Sequence, residues 1–165
     1  MLENVPDCHA ARVRTVSPLA TLMAAVVLFG STAGCNGQTR TSAPGPPDAD
    51  APEEFTTTES GLQYRVLRRG NGKLPTESDT VVVDYVGTLD NKIEFDNSYK
   101  RRESTAFRLT DVVPGWTEGL QLVSEGGMIQ LKVPPDLAYG NSPPAGSVIP
   151  VGATLNFVVE LREIK

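Results

Sequence analysis

The amino-acid sequence predicts an α+β domain in which one short helix lies across the apolar face of an antiparallel sheet. Three observations carry this prediction. Segments from Phe55 onward alternate apolar and polar residues with a period of two. A stretch around Trp116 has helical spacing instead. A sheet with one apolar face needs a cover, and the helical stretch supplies it.

In chain order, Leu62, Tyr64 and Val66 alternate with Gln63 and Arg65, which marks the first strand. The run TVVVDYVGTL, from Thr80 to Leu89, is dense in the β-branched and aromatic residues that pack well on a pleated surface. The helix belongs to DVVPGWTEGLQL, residues 111–122. Pro114 suits a first helical turn, Glu118 suits the positive end of the helix, and Gly126-Gly127 is expected to stop it after about three turns. Trp116, Leu120 and Val123 stand at i, i+4 and i+7 and form its apolar face. Gly119 costs about 1 kcal/mol against Ala inside a helix, so a close neighbour is expected there. Ile129, Leu131 and Val133 alternate with Gln130 and Lys132, and the last strand puts Leu155, Phe157, Val159 and Leu161 on one face.

Upstream of Phe55 the chain reads differently. Arg12 and Arg14 precede the uncharged stretch Leu19 to Phe29, and Gly30-Ser31-Thr32-Ala33-Gly34-Cys35 follows. A basic start, a short apolar run and small residues before a cut describe an export signal, and the run is shorter than the roughly 20 residues of a membrane span. The 17 residues before Pro18 are long for the basic region and place the expected start codon further in. Small residues immediately before one cysteine resemble the lipobox of bacterial lipoproteins, with Thr32 where Leu is commonest. That resemblance implies a signal peptide over 1–34, acylation of Cys35 and a lipid anchor in the cell envelope, the domain facing the periplasm or exterior. Residues 36–54, NGQTRTSAPGPPDADAPEE, contain no apolar residue larger than Ala. Residues 35–54 are therefore expected to be a disordered tether whose removal leaves stability unchanged, with the domain spanning 55–165 and monomeric.

Composition excludes several functions. With 39% hydrophobic and 21% charged residues the chain is ordinary for a globular protein, while a net charge of −5 and a pI near 4.9 argue against a nucleic-acid partner. Lys100-Arg101-Arg102, the one basic cluster, reads as a solvated loop. The only histidine, His9, and the second cysteine, Cys8, leave with the signal. The mature chain then has no histidine and no free thiol, which rules out Ser-His-Asp and Cys-His catalysis and the usual zinc sites, and no cofactor or metal is expected.

The stretches VDYVGTL, EFDNS, VVPGWTEGLQL, PPDLAYG and VIPVGATLNFVVEL, in this order and spacing, resemble the FKBP-type peptidyl-prolyl isomerases, immunophilins that bind macrolides such as tacrolimus. The likeness covers residues 55–165. It implies a curved half-barrel around one short helix, an activity on the X-Pro bonds of folding polypeptides outside the cytoplasm, and macrolides as possible inhibitors. It further implies Trp116 as the floor of a prolyl pocket walled by Tyr85, Phe95, Val112, Val113, Tyr139, Ile149 and Phe157. Asp96 falls at the pocket edge, and the Tyr139 hydroxyl and Val113 N–H become donors to the ligand's carbonyls. Arg101 is either the partner of Asp96 or a plain surface residue. A proline-binding chaperone module with weak or lost catalysis is the alternative on the same scaffold.

The sequence also departs from that family. Thr105 or Ala106 replaces a rim aromatic, Asp84 stands where many relatives have His, and Lys92 occupies a hairpin position where Gly is frequent. The rim near Thr105 and the loop 141–147 contain apolar or small residues, with no carboxylate expected to face inward. Leu or Phe before proline is accordingly expected to be favoured over Glu or Lys.

Overall fold

The computed structural model describes residues 42–165, which fall within the compact unit Gln38–Lys165. The expected signal peptide and Cys35 lie outside the described residues. Among those described, no helix is long and apolar enough to cross a membrane.

The architecture is one antiparallel sheet of seven strands: β1 Thr56–Thr57, β2 Gln63–Arg68, β3 Thr80–Leu89, β4 Glu94–Asn97, β5 Thr105–Arg108, β6 Met128–Val133 and β7 Leu155–Ile164. Their order is β1-β2-β6-β7-β3-β4, with β5 also paired to β3. The long β3 serves two partners, β5 over Thr80 to Val83 and β4 over Val86 to Thr88. Register shifts between Val66 and Arg68, Val82 and Val83, and Gly87 and Thr88 bend and twist the strands as bulges do. Two helices complete the fold, α1 Ser98–Arg101 and α2 Pro114–Leu120.

Alternation decides which face is the core. Val81, Val83, Tyr85 and Leu89 of β3 are buried, as are Leu155, Phe157, Val159 and Leu161 of β7. Pairing of Tyr85 with Val159, and of Val159 with Ile129, carries this inner face across three strands. The expected helix covers it but is shorter than its spacing suggested. After Leu120 the bonding changes to i→i−3, with Leu122 N–H to the Gly119 carbonyl at 3.1 Å and Val123 N–H to that of Leu120 at 3.4 Å. This tightening ends the α-helix well before Gly126. Val123 is still buried, but from the turn that follows, and Glu118 lies outside the first helical turn.

The neighbour that Gly119 implied is Leu131: a Cβ there would stand 2.7 Å from Leu131 Cδ2. One turn earlier, a Cβ on Gly115 would stand 2.4 Å from Val133 Cγ1 and 3.2 Å from the Leu137 carbonyl oxygen. The two glycines thus let α2 settle directly onto β6. At the β3–β4 hairpin, Lys92 adopts φ 68°, the left-handed conformation that explains why Gly is frequent there.

The expectation of a disordered tether up to Glu54 is corrected from Gly45 onward, where the segment straps across the domain. Gly45 N–H donates to Glu160 Oε1 at 2.9 Å. Asp48 N–H donates to the Leu67 carbonyl at 2.7 Å, and its Oδ2 accepts from Arg69 N–H at 2.8 Å. Asp50 pairs with Arg69 at 3.0 Å, and Arg65 donates to the Glu53 carbonyl at 2.6 Å. Strand β1 pairs with β2 only at Gln63 and Tyr64. Beyond that point the strap takes up the Leu67 carbonyl of the β2 edge and the Arg69 N–H just past it. The segment holds by polar complementarity, so its lack of apolar residues did not reveal it.

Glu160 is the outer-face residue the strap covers. It is 1% exposed and paired with Arg68 at 3.1 Å and with Arg162. Arg162 also reaches Asp84 at 2.9 Å, and Asp84 accepts from Ser98 Oγ at 3.1 Å. Asp84 therefore belongs to an ion-pair network on the face opposite the core.

Two stability predictions follow from this packing. Gly115→Ala should destabilise by about 1–3 kcal/mol through overpacking on Val133, although Ala is the better helix former; an unchanged urea midpoint would contradict the close-approach account. Deleting residues 42–53 should lower stability by about 1–3 kcal/mol, because Glu160 loses a donor in a buried position. Equal thermal midpoints for the long and short chains would restore the tether reading.

Candidate active site

Trp116 enters the core at the start of α2 because Pro114, at the first helical position, sets the chain's entry and Gly115 brings the helix down onto β6. Val113 caps this turn, its carbonyl accepting from Trp116 N–H at 2.8 Å and Thr117 N–H at 3.2 Å. Thr117 Oγ1 donates to the Leu109 carbonyl at 2.6 Å and ties the helix to the turn before it.

Around the indole stand three rings in edge-to-face geometry: Tyr85 at 5.2 Å, Phe107 at 5.5 Å and Phe157 at 5.1 Å between centroids. Phe95 meets Phe157 in the same way at 5.5 Å. Edge-to-face pairs suit the ring quadrupoles and are worth about 0.5–1.5 kcal/mol each beyond burial. Gly87 makes room for them, since a Cβ there would stand 2.6 Å from Phe95 Cζ and 3.1 Å from Phe157 Cε1. The indole N–H is buried with no hydrogen-bond partner.

These rings border an open cavity of about 440 Å³, lined by Tyr85, Phe95, Asp96, Phe107, Asp111, Val112, Val113, Trp116, Tyr139 and Phe157. Eight of the nine residues proposed for the pocket from the sequence meet here. Ile149 does not: it is buried in the hydrophobic core and lies off the cavity lining. Phe107 and Asp111 were missed. Phe107 shares its face of β5 with Thr105, so alternation along TAFR could have placed it at the pocket. Asp111 gave no such signal, because it lies in the 3-10 turn Leu109–Asp111 rather than in a periodic element. Neither Thr105 nor residues 141–147 line the cavity, and Asp111 overturns the expectation that no carboxylate would face it.

Asp96 anchors the polar corner. Its Oδ2 accepts from the Tyr85 hydroxyl, and its Oδ1 pairs with Arg101 and accepts from Asn97 N–H at 2.8 Å. Arg101 also donates to the Tyr85 oxygen at 3.2 Å and lies 5.7 Å from the centre of that ring. Arg101 is thus the partner of Asp96, and α1, capped by the Asn97 side chain, delivers it. Partial burial works to raise the Asp96 pKa, but the hydrogen bonds from Tyr85 and Arg101 and the Arg101 charge outweigh it and hold the carboxyl below its ordinary value. Burial, reinforced by the Asp96 carboxylate, pushes the Tyr85 phenol up to about 12. Among the described residues no group of three or more His, Cys, Asp or Glu side chains could hold a metal ion.

A pH prediction results. Asp96 stays ionised and Tyr85 neutral from about pH 6 to 9, so neither should give kcat/KM a slope in that range. Because the Asp96 pKa is depressed on folding, its pairing contributes stability that is fully present above its ordinary value of 3.8 and lost as pH falls through the lower folded value. Asp96→Asn should therefore lower stability at pH 7 and flatten the acid limb of the stability profile. An acid limb identical to that of the parent chain would refute the assignment.

The match to known proteins agrees with this geometry. The family model described as FKBP-type peptidyl-prolyl cis-trans isomerase matches residues 71–162. The FKBP-type peptidyl-prolyl cis-trans isomerase FkpA of Escherichia coli strain K12 is 52% identical over 109 residues, which are 66% of this chain and 40% of that protein. Its crystal structure superposes with a TM-score of 0.66 at 50% identity, covering 69% of this chain and 53% of that one. A peptidyl-prolyl cis-trans isomerase structure from Pseudomonas syringae gives a TM-score of 0.62 at 32% identity, covering 69% and 83%. This chain spans less than half the length of the FkpA sequence it matches. With the family model matching more than half of its residues, the chain belongs to the FKBP-type peptidyl-prolyl cis-trans isomerases.

Proposed function

We propose that this chain is an exported peptidyl-prolyl cis-trans isomerase that assists the folding of proline-containing polypeptides in the cell envelope. The observation that carries the reading is the cavity itself, floored by a buried tryptophan and edged by aromatic rings, in a chain of this family. The basic start, apolar stretch and small residues before Cys35 support export and lipid anchoring.

Rotation about a peptide bond meets a barrier of about 18–20 kcal/mol, and X-Pro bonds interconvert in tens to hundreds of seconds. Resonance makes the planar amide more polar than the twisted one. A cavity of aromatic and aliphatic walls therefore stabilises the twisted form relative to the planar one, with no proton transferred. The proline ring rests on Trp116, while Val112 and Phe157 exclude water beside it. The Tyr139 hydroxyl, half-exposed at the rim, and the Val113 N–H donate to the carbonyls flanking the twisting bond. The Asp96–Arg101 pair holds the Tyr85 ring upright. An acceleration of about 10⁴ to 10⁵ requires only about 5.5–7 kcal/mol, within reach of desolvation and two hydrogen bonds.

Tyr139→Phe should lower kcat/KM by roughly three- to thirtyfold in a cis/trans assay on proline peptides, the worth of one hydrogen bond. Trp116→Ala should cost about 3–5 kcal/mol of stability. Trp116→Leu should fold with partial activity, since it fills much of the space and deletes a buried N–H that has no partner. Abolition of turnover in well-folded Asp96→Asn would point to a proton-transfer or direct charge mechanism and overturn this account. A well-folded parent chain that binds proline peptides without isomerising them would favour a chaperone module.

A further inference from the structure

The cavity lining carries two carboxylates in different electrostatic situations. Asp96 is neutralised by Arg101 and hydrogen-bonded to Tyr85 and Asn97. Asp111 is exposed, and the hydrogen bond to its carboxylate comes from the Thr110 hydroxyl at 3.0 Å, with no ion pair recorded among the described residues. Among the described residues no Lys or Arg lines the cavity.

Val112, next in sequence to Asp111, is a ridge between this cavity and a second, open one of about 420 Å³. Two more carboxylates line the second cavity, Glu77 and Glu118, again without a Lys or Arg among the described residues. Glu118 accepts from Ser60 Oγ at 2.6 Å, a neutral partner that leaves its charge in place. One flank of the prolyl cavity is thus consistently negative, while the Asp96 corner is balanced.

An extended peptide advances about 3.3–3.6 Å per residue, so with proline on Trp116 its neighbouring residues lie within side-chain reach of the Val112 ridge. We infer that Asp111 is a specificity-determining residue, selecting polypeptides with Lys or Arg beside the isomerised proline, with Glu77 and Glu118 extending the same preference outward. The inference rests on the prolyl-site reading above and adds a substrate class to it. It replaces the expectation that Lys beside proline is disfavoured. A like charge in the peptide meets repulsion at the same place, so discrimination is greatest between Lys and Glu.

The test uses the 165-residue chain and peptides of the form Ala-X-Pro-Phe and Ala-Leu-Pro-X, with X as Lys, Leu or Glu. At low salt, kcat/KM for Lys should exceed that for Glu by roughly five- to thirtyfold in at least one series, from Coulomb terms at partly exposed positions. Raising the salt to about 0.5 M should compress the ratio severalfold, since the Debye length shortens to a few ångströms. Asp111→Asn, an isosteric change at an exposed position, should move the ratio toward one, and Glu118→Gln should reduce it by a smaller factor. The salt series on the parent chain reads the same effect without any substitution. Turnover of Leu peptides with a flat Lys:Glu ratio in both series, or a ratio that survives Asp111→Asn, overturns this inference alone. Absence of turnover on every peptide overturns the prolyl-site reading and this inference with it.

Discussion

The site depends on how closely α2 lies against β6. Gly115 faces Val133 and Gly119 faces Leu131, and neither contact leaves room for a methyl group. Any larger residue would lift the helix, and Trp116 with it, away from the rings of Tyr85, Phe107 and Phe157. Those contacts at 5.1–5.5 Å between centroids exist because the helix backbone is allowed so near the sheet. Helix propensity is given up at two positions of a seven-residue helix, and what is gained is a rigid aromatic floor.

The second requirement is a place to put the charges. In the proposed mechanism the cavity works by desolvation, which an unbalanced charge over Trp116 would oppose. The structure answers with segregation. Asp96 is locked to Arg101 and Tyr85 at one corner, and an ion-pair network of Glu160 with Arg68 and Arg162 lies on the opposite face of the sheet under the 45–53 strap. The first set is held by the consecutive elements β3, β4 and α1 and the second by segments more than ninety residues apart, and both pair charge away from Trp116. Asp111 lines the same cavity outside both sets.

Much of the fold and most of the site were legible in the sequence. The period-two runs on β3, β6 and β7 and the i, i+4 pair Trp116 and Leu120 describe a sheet face and its cover, because burial of apolar side chains is what sets those periods. The pocket residues could be named because five motifs matched one family in order. The lack of histidine and thiol downstream of Cys35 restricted the chemistry to apolar and hydrogen-bonding groups before any coordinates were considered.

What only the tertiary structure decided has one physical origin: it rests on polar contacts or local geometry that leave no periodic trace. The strap holds to β2 and Glu160 through backbone N–H groups and carboxylates, so its composition reads as a coil. The end of α2 at Leu120, six residues before Gly126, follows from a change in hydrogen-bond spacing rather than from a breaker residue. Ile149, expected at the cavity wall, withdraws into the core, and Asp111, of which nothing was expected, lines the cavity, because loops and 3-10 turns orient side chains by packing and not by repeat. Hydrophobic patterning by itself determined which segments are strands, which stretch is the covering helix and which faces turn inward; the order β1-β2-β6-β7-β3-β4 came from the tertiary structure. Where each charge lies relative to Trp116 was settled by folding, because it depends on turns and pairings that patterning does not encode: α1 returns Arg101 to Asp96, and Gly45 and Arg68 meet Glu160 across more than ninety residues.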